Sequence, residues 1–145
     1  MVEVRRRVTI PAELDRLAEI RAVVRDVARG YEAPADCIDD LVQAVDEAAT
    51  NIIVHGYRGA EGTIELTAEL VSDDFVITLA DTAPAYDPTT VPPPDLTVPP
   101  AQRRPGGMGV HLMRLATDSL VHRPRPGGGN ILTLTRARAR GFKEV

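Results

Sequence analysis

Thr63-Ile64-Glu65-Leu66-Thr67-Ala68-Glu69-Leu70, then Val71-Ser72-Asp73-Asp74, then Phe75-Val76-Ile77-Thr78-Leu79-Ala80 is the stretch that decides the fold. The first eight residues alternate, with Ile64, Leu66, Ala68 and Leu70 facing one way and Glu and Thr between them. That is the period of a strand with one buried face. Four turn-type residues follow, and then a second apolar strand. Together they read as an antiparallel hairpin with a four-residue connection.

Upstream the period changes. Val4–Ile10 alternates as a strand, and Pro11 ends it. From Ala12 to Arg29, Leu14, Leu17, Ala18, Val24, Val27 and Ala28 recur at helical spacing, and Gly30 is a natural stop. Pro34 and Asp36 announce a second helix, with Asp36 placed to cap it. Its stripe is Ile38, Leu41, Val45, Ala48, Ala49 and Ile52, and it runs out at His55-Gly56.

Downstream, eight of the twelve prolines lie between Thr82 and Pro105. Proline lacks the donor that helix and sheet both need, so this is a long loop. Loops beyond about 12–15 residues in a compact domain are functional lids or disordered. Next come Gly106-Gly107-Met108-Gly109, a helical segment Val110–Ala116, a strand starting at Val121, a turn Pro126–Gly129 and a strand Ile131–Thr135. The order implies an α+β two-layer sandwich: a mostly antiparallel mixed sheet with helices on one face. The 145 residues, without an internal repeat, suit one domain. Residues 88–105 make up most of this Pro-rich loop, and a flexible basic tail is expected over 137–145.

Composition removes several function classes. The formal charge is −4, divided as −11 over residues 1–100 and +7 over residues 101–145. A net negative chain is a poor non-specific DNA binder. With no Trp, two Phe and three Tyr there is no base-stacking platform. The longest apolar run falls far short of the roughly 18 residues a membrane helix needs. No basic–apolar–small-residue leader opens the chain, and Cys37 stands alone, so a cytoplasmic protein without disulfides is expected.

Three short boxes carry chemistry. In Asp46-Glu47-Ala48-Ala49-Thr50-Asn51-Ile52-Ile53-Val54-His55-Gly56, the residues Glu47, Asn51 and His55 stand at i, i+4 and i+8 and share a helix face. Glu47 suits proton acceptance, and Asn51 offers an oxygen to a hard cation. A solvated helix face is the plain alternative, but Asn is a poor helix former and here has apolar neighbours. Asp81, at the end of an apolar strand with small neighbours, can accept a hydrogen bond from an amino group on a flat ring, or cap a turn. Gly106-Gly107-Met108-Gly109 lets backbone N–H groups converge at a helix N-terminus, which suits phosphate, and Arg103 and Arg104 stand just ahead. No Lys-Ser or Lys-Thr follows, so it is not a Walker loop.

In this order the boxes resemble the GHKL (Bergerat) ATP-binding fold, shared by gyrase, the heat-shock chaperone ATPase, the mismatch-repair ATPase and histidine kinases. The details look like its small stand-alone branch, the anti-sigma-factor serine kinases of bacterial partner-switching systems. Asp81-Thr82-Ala83-Pro84-Ala85-Tyr86-Asp87-Pro88 is similar to that branch's Asp-x-Gly-x-x-Phe-Asp-Pro. Gly106–Met113, Asp118 and Gly128-Gly129-Asn130-Ile131-Leu132-Thr133-Leu134 are similar to its C-terminal half. The resemblance covers about residues 4–136.

The resemblance implies a site. Glu47 would be the general base, Asn51 the ligand of the magnesium that bridges the phosphates, and Asp81 the acceptor for the adenine amino group. Ala83 would join the ATP-binding set where many relatives have glycine; its methyl fits a turn with φ below zero and narrows the room for adenine. Gly106, Gly107, Met108 and Gly109 would cradle phosphate while residues 88–105 close over it. Thr133 or Thr135 would support Asp81, and Arg103 or Arg104 would be the basic lid residue. The implied function is ATP-dependent phosphorylation of a Ser or Thr on an anti-sigma factor antagonist of STAS type, alternating with sequestration of a sigma factor, by a homodimer. The alternative is a catalytically silent module in which ATP is only a conformational ligand. His55 reads as a helix-end residue near the nucleotide, His111 and His122 as surface, Cys37, Met108 and Met113 as packing, and Tyr86 as pocket lining or a lid cap.

Overall fold

The computed structural model describes residues 5–102 and 108–137. Strand β1 (Arg5–Pro11) leads through a short 3-10 turn (Leu14–Arg16) into helix α1 (Leu17–Gly30) and helix α2 (Ala35–Asn51). Strands β2 (Thr63–Val71) and β3 (Asp74–Asp81) form the hairpin. Helix α3 (Met108–Ala116), strand β4 (Ser119–Pro124) and strand β5 (Asn130–Arg136) complete the chain. The sheet order is β1-β2-β3-β5-β4, and every neighbouring pair is antiparallel. The sheet is therefore antiparallel throughout the described residues rather than mixed.

The hairpin is tighter than its sequence suggests. Val71 still pairs with Asp74, so the connection is Ser72-Asp73, with Ser72 at φ 56°. Helix α1 starts at Leu17, because Leu14–Arg16 wind as a 3-10 turn. Asp36 is not the cap of α2: Pro34 takes that position, and Asp36 lies in the first turn, where its carboxylate accepts from the N–H of Cys37 at 3.0 Å. An acidic group there favours the positive end of the helix dipole.

Strand parity builds the core. Ile64, Leu66, Ala68 and Leu70 on β2, Phe75, Ile77 and Leu79 on β3, and Leu132 and Leu134 on β5 are all buried under the helices. The helices supply Ile20, Val24 and Val27 from α1 and Leu41, Val45 and Ala49 from α2. Each such aliphatic or aromatic side chain contributes about 1.5–3 kcal/mol by leaving water. Cys37 is a buried free thiol. Polar ties set the layers in place: Arg21 of α1 meets Asp46 of α2 at 2.6 Å, and Arg136 of β5 donates to the carbonyl of Ala116 at 2.9 Å and reaches Asp40 at 3.6 Å.

The same alternation that buries Ile77 and Leu79 continues one step further along β3, to Asp81. It places that carboxyl group on the helix side of the sheet, 2% exposed. The Pro-rich loop begins there. Its first residues are fastened: Pro88–Thr90 form a 3-10 turn capped by Asp87, and the guanidinium of Arg114 on α3 donates to the carbonyls of Thr89 and Val91. Arg103, Arg104, Gly106 and Gly107 lie outside the described residues, as do 138–145 of the tail.

Candidate functional site

Helix α2 brings Glu47 and Asn51 to one face, one turn apart. The face does not continue to His55. From Ile52 to Tyr57 the helix widens into a π-turn, ended by Arg58 in the left-handed region at φ 53°. A π-turn bonds i to i+5, so the residue standing over Asn51 is Gly56 rather than His55. Gly56 accordingly shares the pocket with Asn51, while His55 is exposed, its ring 6.4 Å from that of Tyr86 and tilted by 32°.

The pocket is a small cleft whose roughly 350 Å3 of empty space is partly open to solvent. Ala48, Ile52, Met113 and Leu132 give it apolar walls; Asn51, Asp81, Asn130 and His122 give it polar groups, and Tyr86 and Pro88 line it from the Pro-rich loop. An apolar slot with a few fixed polar groups suits a flat heteroaromatic ring.

Asp81 and Asn130 are directly opposed in the β3–β5 ladder and face the same way. Asp81 Oδ1 accepts from the N–H of Ala83 and from Asn130 Nδ2, each at 2.9 Å. Thr133 and Thr135 do not support Asp81. Thr133 pairs with Thr78 and Thr135 with Val76, at the alternate positions of the ladder, so both lie on the opposite face of the sheet. Asn130 has the place they were expected to share. His122 is likewise not a surface residue: its side chain is 10% exposed, Nε2 lies 2.8 Å from Asn130 Oδ1, and Nδ1 lies 3.8 Å from Asp87.

The methyl of Ala83 does not line the pocket. It is buried against the helix, where a Cβ added to Gly56 would come within 3.2 Å of it, and its φ is not positive. Tyr57 holds this corner together. Its hydroxyl donates to the carbonyl of Thr63 at 2.6 Å and accepts from the N–H of Thr82 at 2.9 Å. Its ring lies over Gly62, where a Cβ would come 2.2 Å from Cε1. Thr82, the residue just after β3, is thereby tied to the π-turn that follows α2 and to the start of β2.

Gly109, in the first turn of α3, faces Glu47: a Cβ there would lie 2.7 Å from Glu47 Oε2. Met108 is 37% exposed, whereas Met113 is fully buried against the pocket. The Asp87 carboxyl is held below its ordinary range. Burial pushes it up, but the hydroxyl and N–H of Thr89, with His122 and Arg114 nearby, outweigh that. Among the described residues no cluster of three or more His, Cys, Asp or Glu could hold a metal ion. A divalent cation here would rest on the carboxamide of Asn51 together with ligand phosphates and water, the manner usual for magnesium. Among the described residues no helix is long and apolar enough to cross a membrane.

Residues 10–136 match the family described as the histidine kinase-like ATPase domain, and the chain belongs to that family. Among its curated relatives are proteins named serine-protein kinase RsbW. That of Bacillus cereus strain Q1 is 30% identical over 115 residues, covering 77% of this chain and 72% of its own, and that of Bacillus mycoides strain KBAB4 is related to the same extent. In three dimensions the fold is similar to part of the crystal structure of the RsbU and RsbW domains of Rv1364c from Mycobacterium tuberculosis, with a TM-score of 0.67 at 20% identity over 98% of this chain. This chain spans 34% of that longer one.

Proposed function

We propose that the protein binds Mg-ATP in the pocket between α2, α3 and the ends of β3 and β5, and transfers the γ-phosphoryl group to a Ser or Thr hydroxyl of an anti-sigma factor antagonist of STAS type. The observation that carries this reading is the division of labour around one pocket. Asp81 and Asn51 line it, and Glu47 stands one turn from Asn51 with its carboxylate beside the first turn of α3. A base-recognition carboxyl, a cation ligand and a proton acceptor are the three groups that phosphoryl transfer needs from a protein, since most of its catalysis is positioning and charge stabilisation.

In the transfer, the acceptor hydroxyl oxygen bonds to the γ-phosphorus as the bond to the β–γ bridging oxygen breaks. Glu47 takes the hydroxyl proton, and ADP leaves. Magnesium bound to the phosphates would neutralise their charge, and Asn51 is the residue to hold it. The same chain, as a homodimer in the cytoplasm, would sequester a sigma factor when the antagonist is phosphorylated. The relatives named as serine-protein kinases support the phosphotransferase part of this reading.

The test is to mix the protein with radiolabelled ATP, magnesium and candidate antagonists from the same genome. Label should move to one antagonist. Asn51→Ala should weaken Mg-nucleotide binding, and Glu47→Ala should keep binding and lose transfer. Tight ATP binding with no transfer to any antagonist would leave ATP as a conformational ligand and overturn the kinase reading.

A further inference from the structure

We propose that Asn130 is the positioning residue of the pocket: it orients the Asp81 carboxyl group and so sets selectivity for a base that carries an exocyclic amino group. This rests on the nucleotide-binding reading above. Asn130 opens β5, is 5% exposed, and has its carboxamide fully engaged. Nδ2 donates to Asp81 Oδ1 at 2.9 Å, to the carbonyl of Pro84 at 3.1 Å and to that of Ala83 at 3.3 Å. Oδ1 accepts from the N–H of Tyr86 at 3.0 Å and meets His122 Nε2 at 2.8 Å.

These partners settle the amide's orientation. The two carbonyls only accept and the Tyr86 N–H only donates, so the carboxamide cannot be turned over. His122 must then carry its proton on Nε2. The approach that makes the arrangement possible is made by Gly129, at φ 115°, where a Cβ would come 2.0 Å from the carbonyl oxygen of Asp81.

The consequence falls on Asp81. Its Oδ1 holds both protein donors, and its Oδ2 has no hydrogen-bond partner among the described residues. No fully buried side-chain N or O described here is left without a partner, so Oδ2 opens onto the pocket that Asp81 lines. The hydrogens of Asn130 are already taken. A ring entering the pocket therefore meets an acceptor of fixed plane with no donor competing beside it. A ring amino group satisfies that acceptor, whereas an oxo group at the same place sets acceptor against acceptor. Without the carboxamide, the Asp81 carboxyl is free to turn and the 83–86 turn loses three of its ties.

The experiment compares ATP with inosine triphosphate, which carries an oxo group where ATP has the amino group, on wild type, Asn130→Val and Asn130→Thr. Val and Thr have the same shape, and both lose the ties to the turn; only Thr retains a donor for Asp81. Wild type should prefer ATP by about tenfold or more, the effect of one lost hydrogen bond to a buried acceptor. Asn130→Val should weaken ATP until the two nucleotides bind alike, with inosine triphosphate within about twofold of wild type, and Asn130→Thr should recover part of the preference. A merely structural role would weaken both nucleotides together. A wild type that prefers ATP beside an Asn130→Val protein with the same preference overturns this inference alone. A wild type that binds neither nucleotide overturns the nucleotide-binding reading and this one with it. If Asn130→Val does not fold, Asn130→Ser against Asn130→Ala decides by the same ratio.

Discussion

Replacing Gly109 by Ala separates the site from the fold. The added methyl would sit 2.7 Å from Glu47 Oε2, about 0.7 Å inside the 3.4 Å at which ordinary contact begins. The obstructing atom is the end of a flexible side chain, and Gly109 has no positive φ, so the backbone accepts the methyl and Glu47 turns aside. An off-rotamer Glu47 costs about 0.5–1.5 kcal/mol, while Ala gains up to about 1 kcal/mol over Gly in a helix. Net stability should therefore change by no more than about 1 kcal/mol. The carboxylate, however, moves by an appreciable fraction of an ångström, and a misplacement of about 1 Å can cost on the order of 100-fold in rate. Urea denaturation, ATP calorimetry and phosphoryl transfer should thus read near-normal stability, near-normal binding and a loss of transfer approaching 100-fold. Normal transfer by Gly109→Ala would refute the argument that Glu47 works from the position it holds beside α3. A stability loss well beyond 1 kcal/mol would show that the contact is not relieved by rotation of Glu47.

Asp81→Asn offers the pocket an amino group in place of an acceptor, since its oxygen will face Ala83 and Asn130; calorimetry should show ATP weakened by about tenfold or more and discrimination against GTP reduced. Tyr57→Phe removes the hydroxyl that joins Thr63 to Thr82 and should cost about 1–3 kcal/mol in urea unfolding, because the corner's carbonyl and N–H lose their partner. Asp87 has a folded pKa below its ordinary value of 3.8, so its contribution to stability is full above that value and is lost as pH falls through the folded one. Acid unfolding of Asp87→Asn should lack this component, and an acid limb identical to wild type would show that the Thr89 contacts stabilise nothing.

The hairpin and both long helices were legible because their periods are local. Alternation over Thr63–Leu70 and the α2 stripe need no knowledge of the rest of the chain. Asp81 and the Glu47–Asn51 pair were legible for the same reason, as residues at a strand end and one turn apart. His55 was misplaced because a π-turn leaves the polar and apolar pattern of a helix almost unchanged while shifting what lies above Asn51. Asn130 and His122 were missed because what each meets, Asp81 for one and Asp87 for the other, lies far along the chain. The one signal available was the Gly128-Gly129 pair ahead of Asn130, which marks a close backbone approach without saying to what.

By itself, the sequence determined the elements, the α+β order and the family boxes, since these follow from side-chain period, proline and glycine placed within a few residues of one another. Only the tertiary structure decided which strand positions share a face with the helices and which cross-strand partner supports each of them. Strand parity is absolute: one residue of register moves a side chain to the other face of the sheet. Register between β3 and β5, 49 residues apart at Asp81 and Asn130, is set by packing against α2 and α3 and by the glycine that lets the strands meet. That packing turned Thr133 away from the site and Asn130 into it.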